Sequence, residues 1–206
     1  MAKISEEYRD KIRKRLLESA DVKKKVAEAC LESILEAVQL IVDTFESGGK
    51  VMICGNGGSA ADSQHMAAEF VCTLNKVLER PGLPAIALTT DTSILTAHAN
   101  DLSFEKIFKR QILALGKPGD LLIGISTSGN SPNILVAAKA AKSTKIRTIA
   151  LTGKYGKLQK IADVAICVPS NMTQYTQESH IAIEHILCEL VEHHLFGRKK
   201  VSHGYK

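Results

Sequence analysis

Val51-Met52-Ile53-Cys54 runs without a break into Gly55-Asn56-Gly57-Gly58-Ser59. A short apolar run between Lys50 and a glycine turn has the length and composition of a strand buried on both faces, as in parallel sheets. The turn residues tolerate positive φ and close backbone approach. A helical pattern follows, with Ala60, Ala61, Met66, Ala67, Phe70 and Val71 as its small or apolar members. Strand, glycine turn and helix start in that order aim free N–H groups and the positive end of a helix dipole at one point, which suits an anion. His65 and Glu69 come four residues apart and therefore on one helix face. The turn is neither a dinucleotide fingerprint nor a P-loop, since the glycine spacing and the Lys-Ser/Thr pair are missing. Taken singly, the turn also reads as strand–helix punctuation, and His65 with Glu69 as a solvated pair. Together they point to a site.

The rest of the chain repeats that unit. Strand patterns occur at 51–54, 84–88, 120–125, 146–151 and 164–168, with helical patterns at 59–75, 92–99, 103–115, 132–143, 156–162 and 175–196. Alternation of this kind predicts an α/β fold, a parallel sheet flanked by helices on both faces. Residues 4–47 read as two further helices, the second carrying an apolar stripe of Val26, Cys30, Ile34, Val38, Ile41 and Phe45. We therefore expect an N-terminal helical extension over 1–48, a main domain over 49–197 and a basic tail over 198–206. The stripe must be covered, either by the parent domain or by a second subunit; the second subunit is the expectation.

Composition excludes several classes. No apolar run reaches the roughly 20 residues needed to span a bilayer. The charged N-terminus lacks the apolar stretch of a signal peptide, so a cytoplasmic location is expected. Five cysteines, an odd number with no CxxC, all lie in apolar segments and are expected to be buried, reduced thiols. The net charge of +5 gathers in the N-terminal helical region and the tail, and aromatic residues make up only 4%. A nucleic-acid partner is therefore not expected.

Ligands of open α/β sheets bind beyond the carboxyl ends of the strands. Three such ends carry polar clusters: residues 55–59, Ser126-Thr127-Ser128-Gly129-Asn130-Ser131, and Thr152-Gly153-Lys154. Ser126, Thr127, Ser128 and Ser131 supply four hydroxyls just before Pro132 opens a helix, more than a capping role needs. With no Walker-type lysine in the cluster, a phosphomonoester fits better than a nucleoside triphosphate.

Gly55-Asn56-Gly57-Gly58-Ser59 with Ala60-Ala61-Asp62-x-Gln64-His65, and the 126–131 cluster, resemble the sugar isomerase (SIS) domain. The likeness is closest to the phosphoheptose isomerase family within it and spans most of residues 25–196. It includes residues 84–93, Ala99-Asn100-Asp101, Gln177-Glu178-x-His180 and the run from His185 to Leu190. The resemblance implies a Rossmann-like SIS fold assembled as a homotetramer. It also implies conversion of sedoheptulose 7-phosphate to D-glycero-D-manno-heptose 7-phosphate, the first step toward the ADP-heptose of lipopolysaccharide cores. Carried over by motif, His65, Glu69, Gln177 and His185 would hold one Zn2+ per subunit. Asn56, Gly57, Gly58, Glu69, Asn100, Asp101, Ser126, Thr127, Ser128, Ser131 and Gln177 would contact substrate, and Glu69 and His185 would be the acid/base pair. One segment departs from the family's usual Asp-Thr-Ala-Arg-Ile: Met172-Thr173-Gln174-Tyr175-Thr176 lacks the acidic and the basic side chain. Ser179 also replaces a larger apolar residue.

These roles make chemical sense. Moving a carbonyl between adjacent carbons needs a base over the carbons, an acid or Lewis acid at the oxygens, and an anchor for the distant phosphate. Gln177 and His185 on one helix would lie about 12 Å apart along its axis. One ion could then reach both only from midway, from an irregular first turn, or with help from a second subunit. His180 faces away from His185 and reads as structural. Two alternatives resemble the chain less: a non-catalytic SIS protein that binds the replication initiator DnaA, whose members lack the Glu69–His185 pair, and a sugar-phosphate sensor.

Overall fold

The computed structural model describes residues 6–75 and 78–197, so the basic tail expected over 198–206 lies outside the described residues. Five strands, β1 (Val51–Cys54), β2 (Ala85–Ala87), β3 (Leu121–Ser126), β4 (Arg147–Thr152) and β5 (Val164–Cys167), form one sheet in the order β2-β1-β3-β4-β5. Every pairing is parallel, with Val51 opposite both Ala85 and Leu121, and Leu121 opposite Arg147. The α/β fold expected from the alternating pattern is what forms. The chain order reverses at β1, and the crevice between the carboxyl ends of β1 and β3 is where such sheets take their ligands.

Among the described residues seven α-helices flank the sheet: α1 (Glu6–Ala29), α2 (Leu31–Glu46), α3 (Gly58–Val71), α4 (Thr92–Asp101), α5 (Ile107–Leu115), α6 (Pro132–Ser143) and α7 (Thr173–Phe196). Strand residues point alternately to the two faces. Val51, Ile53, Ile123 and Leu151 join a core with α2, α3 and α7, while Met52, Cys54, Leu122 and Ala150 join one with α5 and α6. Asp120 anchors the amino ends of β1 and β3, accepting from the backbone N–H of Lys50 (3.0 Å) and of Lys117 (2.8 Å) and pairing with Lys50 Nζ (2.5 Å).

Several expectations need correction. The stripe on the N-terminal helices is covered by the chain's own domain: Val26, Cys30, Ile34 and Ile41 are buried in the core shared with α7, and Val38 and Phe45 pack on it. Burying an aliphatic side chain is worth about 1.5–3 kcal/mol, and this burial is complete before any partner arrives. Apolar residues left outside include Leu31 and Leu35 on α2 and a row on α1, where Tyr8, Ile12 and Leu16 recur every fourth residue at 53%, 60% and 67% exposure. The 156–162 segment forms only a 3₁₀ turn at Leu158–Lys160, because Gly156 (φ 150°) prevents an earlier start. α3 stops at Val71, four residues short, where the chain turns out toward Arg80. Among the cysteines, Cys30, Cys54 and Cys188 are buried, but Cys72 is exposed, lying just past the end of α3; all five are free thiols.

Candidate functional site

Two structures meet at the carboxyl end of β1. The first is the turn that opens α3. Gly57 has φ 57° and stands at the helix N-cap, a conformation an L side chain would strain. A Cβ on Gly58 would come within 2.3 Å of Gln177 Nε2, so a side chain there would displace the Gln177 carboxamide. The side chain of Asn56 is committed elsewhere: it exchanges two amide hydrogen bonds, 2.9 and 2.8 Å, with buried Asn133 on α6. This pair stitches the β1 turn to the β3 turn. Asn133 gives no sign of the role in sequence, since its partner is 77 residues away.

The second structure is the hydroxyl loop after β3. Ser126 Oγ lies 3.0 Å from Ser131 Oγ and 3.5 Å from Ser128 Oγ, so three hydroxyls gather at the start of α6. Ser131 makes no capping bond of its own, and the Asn133 side chain serves Ile134 N–H instead. A loop built only to cap the helix would not be wired this way. Gly129 (φ 62°) closes the loop, donating its N–H to Ser126 O at 2.9 Å. A cavity of about 230 Å³ adjoins the loop, lined by Thr127, Ser128, Lys154, Asn171 and Thr173 among others. Lys154 was assigned no part in the site by sequence reasoning, although it closes the third polar strand end.

Across the turn, α3 meets α7. His65 Nε2 lies 2.8 Å from His185 Nε2, and Glu69 Oε1 lies 3.4 Å from His65 Nε2. Ligand atoms of all three residues fall within 4.8 Å of one another. Glu69 Oε2 is buried with no hydrogen-bond partner. Two imidazole nitrogens facing each other, with an unpaired buried carboxylate oxygen beside them, make the N/N/O donor set that a divalent zinc ion takes. Gln177 meets α3 nearby: its Nε2 lies 3.3 and 3.2 Å from the two carboxylate oxygens of Asp62. The structure therefore brings His65, Glu69 and His185 together and lays Gln177 over Gly58.

Asn100 and Asp101 are not brought in. They sit exposed at the end of α4, bonded to each other at 2.8 Å, and no hydrogen bond links them to the other candidates among the described residues.

The α3–α7 seam holds further charged groups that sequence reasoning passed over. Asp62 stands three residues before His65 and seven before Glu69, and that helical spacing could have marked it. Burial raises its pKa, against the hydrogen bond from Gln177 and the charge of His65. Glu184 is 1% exposed with both oxygens unpartnered. Burial first, then the Asp62 charge, push it up to about 8. His180 is fully buried with Nε2 3.1 Å from Thr152 O; burial pushes it down to about 4, so it is neutral and donates to that carbonyl. At the far end, Arg80 and Glu192 form a buried ion pair at 2.6 Å. Arg80 also donates to the carbonyls of Glu69 and Phe70, both at 2.8 Å, and so grips the last turn of α3.

The segment 172–176 turns toward α1. Tyr175 donates to Glu18 (2.6 Å) and accepts from Arg15 (3.0 Å), and the Ser179 hydroxyl is satisfied by Tyr175 O (2.7 Å). Its unusual residues thus fasten α1 to the first turns of α7.

A model of the SIS domain matches residues 16–153. The chain is 51% identical to the phosphoheptose isomerase of Roseiflexus sp. (strain RS-1) over 179 residues, 86% of this chain and 90% of that protein. It is 50% identical to that of Chlorobaculum parvum over 187 residues, 90% of each. Its fold is similar to the solved structure of phosphoheptose isomerase from Neisseria gonorrhoeae, with a TM-score of 0.84 and 40% identity over 89% of this chain and 98% of that one. It is equally similar to the enzyme from Francisella tularensis, with a TM-score of 0.85 and 39% identity over 89% and 97%.

Proposed function

We propose, from the premise that this chain belongs to the SIS-domain family and to the phosphoheptose isomerases within it, that it is an isomerase converting sedoheptulose 7-phosphate to D-glycero-D-manno-heptose 7-phosphate. The observation that carries the reading is the meeting of His65, Glu69 and His185 from two helices, with a loop of three gathered hydroxyls at the carboxyl end of β3, the neighbour of β1. In this reading the product enters the synthesis of lipopolysaccharide heptose.

Each residue has a task in that reaction. Ser126, Ser128 and Ser131, at the positive end of the α6 dipole, hold the phosphate and so fix which carbons reach Glu69. Glu69 takes the proton from one carbon and returns it to its neighbour; its Oε2 has no hydrogen-bond partner among the described residues to compete for that role. His185 gives and takes the proton at the substrate oxygen. Gly57 lets the sugar approach the backbone, with open space where a Cβ would stand, and Gly58 does the same for the Gln177 carboxamide. Zn2+ held by His65, Glu69, His185 and the oxygen of Gln177 would polarise the substrate oxygens as a Lewis acid.

A homotetramer is part of the same reading. The outward stripe of Tyr8, Ile12 and Leu16 on α1 supports it. Asn100 and Asp101, exposed and not hydrogen-bonded to the other candidates among the described residues, would serve the site of a neighbouring copy. The deciding experiment incubates the purified protein with sedoheptulose 7-phosphate, with and without a chelator. Turnover that the chelator abolishes supports the reading. No turnover, with capture of DnaA instead, would transfer the chain to the binding class.

A further inference from the structure

The carboxamide of Gln177 has one hydrogen-bonding partner among the described residues, and that partner is a carboxylate. Its Nε2 sits 3.3 Å from Asp62 Oδ1 and 3.2 Å from Oδ2, while its Oε1 makes no hydrogen bond among the described residues. A carboxylate only accepts, so it can face the NH₂ end of an amide and never the oxygen end. On the opposite side the amide lies flat against Gly58, where a Cβ would stand 2.3–2.6 Å from its atoms. Asp62 is 4% exposed and has no other hydrogen bond among the described residues. A carboxylate withdrawn from water for a single neutral donor is costly, and packing alone would favour an apolar residue there. Asp62 also shares the α3 face of His65 and Glu69.

We infer that Asp62 is a positioning residue: by holding the NH₂ end of Gln177 it turns the side-chain oxygen toward the site and makes an ambivalent amide an oxygen donor. The inference rests on the reading of Gln177 as a zinc and substrate ligand and adds the group that decides which atom of Gln177 is offered. Asp62 does not touch the reacting atoms; it acts through Gln177.

The test is a double-mutant cycle on the full chain, reading zinc affinity by competition with a chromophoric chelator, with melting temperature as the folding control. Asp62→Asn keeps the volume but replaces one of the two acceptor oxygens facing the Gln177 NH₂ by a donor, so the Gln177 amide is no longer held in one orientation. Loss of such outer partners typically weakens metal binding about 10–100-fold, and that is the expected loss. Gln177→Ala should lose affinity to a similar degree. The double variant should bind no more weakly than Gln177→Ala alone, because Asp62 acts only through that side chain. Should Asp62→Asn fail to fold, Gly58→Ala displaces the carboxamide without altering the carboxylate and should loosen zinc likewise. Wild-type affinity in Asp62→Asn while Gln177→Ala is weakened would overturn the inference and leave the ligand reading intact. Full additivity in the double variant would also overturn it, as Asp62 would then act by another route. Wild-type affinity in Gln177→Ala would sink the ligand reading, and the inference with it.

Discussion

The hydroxyl loop and the α3–α7 seam are both polar structures, but they are built in opposite ways. The loop comes from one run of six residues, closed by the Ser126–Gly129 turn and the positive φ of Gly129. The seam joins His65 to His185 across 120 positions, Asp62 to Gln177 across 115 and Arg80 to Glu192 across 112. A local structure keeps its shape when one donor is lost. A seam between two helices keeps its shape only while both remain docked. Substitutions in the loop should therefore weaken binding alone, whereas those in the seam should cost either chemistry or stability.

The largest effect is expected at Glu69. Glu69→Gln preserves size and removes the base, and loss of a positioned base costs about 10²–10⁴ in rate. Solvent deuterium entering the sugar at the transferred carbon is the measurement, with melting temperature unchanged. A variant that turns over at the wild-type rate would break the comparison at its chemical end.

Next comes the latch at the other end of the seam. Arg80→Met leaves the buried Glu192 carboxylate with only the neutral donors of Thr73, Leu74 and Asn75, and removing one member of a buried ion pair costs about 3–5 kcal/mol. Denaturant unfolding should show that loss. An unchanged midpoint would mean that the seam does not depend on its latch.

Ser126→Ala tests the loop. Removing one donor to a phosphate costs about 1.5–3 kcal/mol, so the apparent KM should rise by about 10–150-fold with kcat and unfolding midpoint little changed. A fall in stability instead would show the loop to be structural and erase the contrast drawn here.

The smallest effect is a pH dependence remote from both regions. Burial alone would raise the pKa of Asp120, but hydrogen bonds from Lys50 and Lys117 and the Lys50 charge hold it below the usual aspartate value. A carboxylate whose folded pKa is depressed adds stability above its unfolded pKa, and that stability is lost as pH falls through the folded one. Unfolding midpoints should thus be level above about pH 5 on this account and fall below about pH 4. Asp120→Asn should flatten that part of the profile; an unaltered acid limb would assign it to other carboxylates.

Much of the protein was legible in the amino-acid sequence because the relevant physics is local. Buried strands read as apolar runs at 51–54 and 164–168, and helix faces read at a period of 3.6 residues. Glycine-broken turns read from Gly57 and Gly129, since few side chains accept their backbone angles. The hydroxyl loop was visible for the same reason, being a single segment, and the family motifs carried His65, Glu69 and His185 as candidates. The tertiary structure decided what local pattern cannot express. It chose the chain's own core, rather than a second subunit, as the cover for the stripe from Val26 to Phe45, because an apolar stripe records that it must be buried and not by what. It paired Asn56 with Asn133 and Arg80 with Glu192, contacts whose partners lie 77 and 112 residues apart. It turned Tyr175 toward Glu18 and Arg15, and it left Glu184 buried without a partner. Hydrogen bonds and ion pairs of this reach depend on how two helices dock, and docking is set by the packing of the whole core rather than by the neighbours of any one residue.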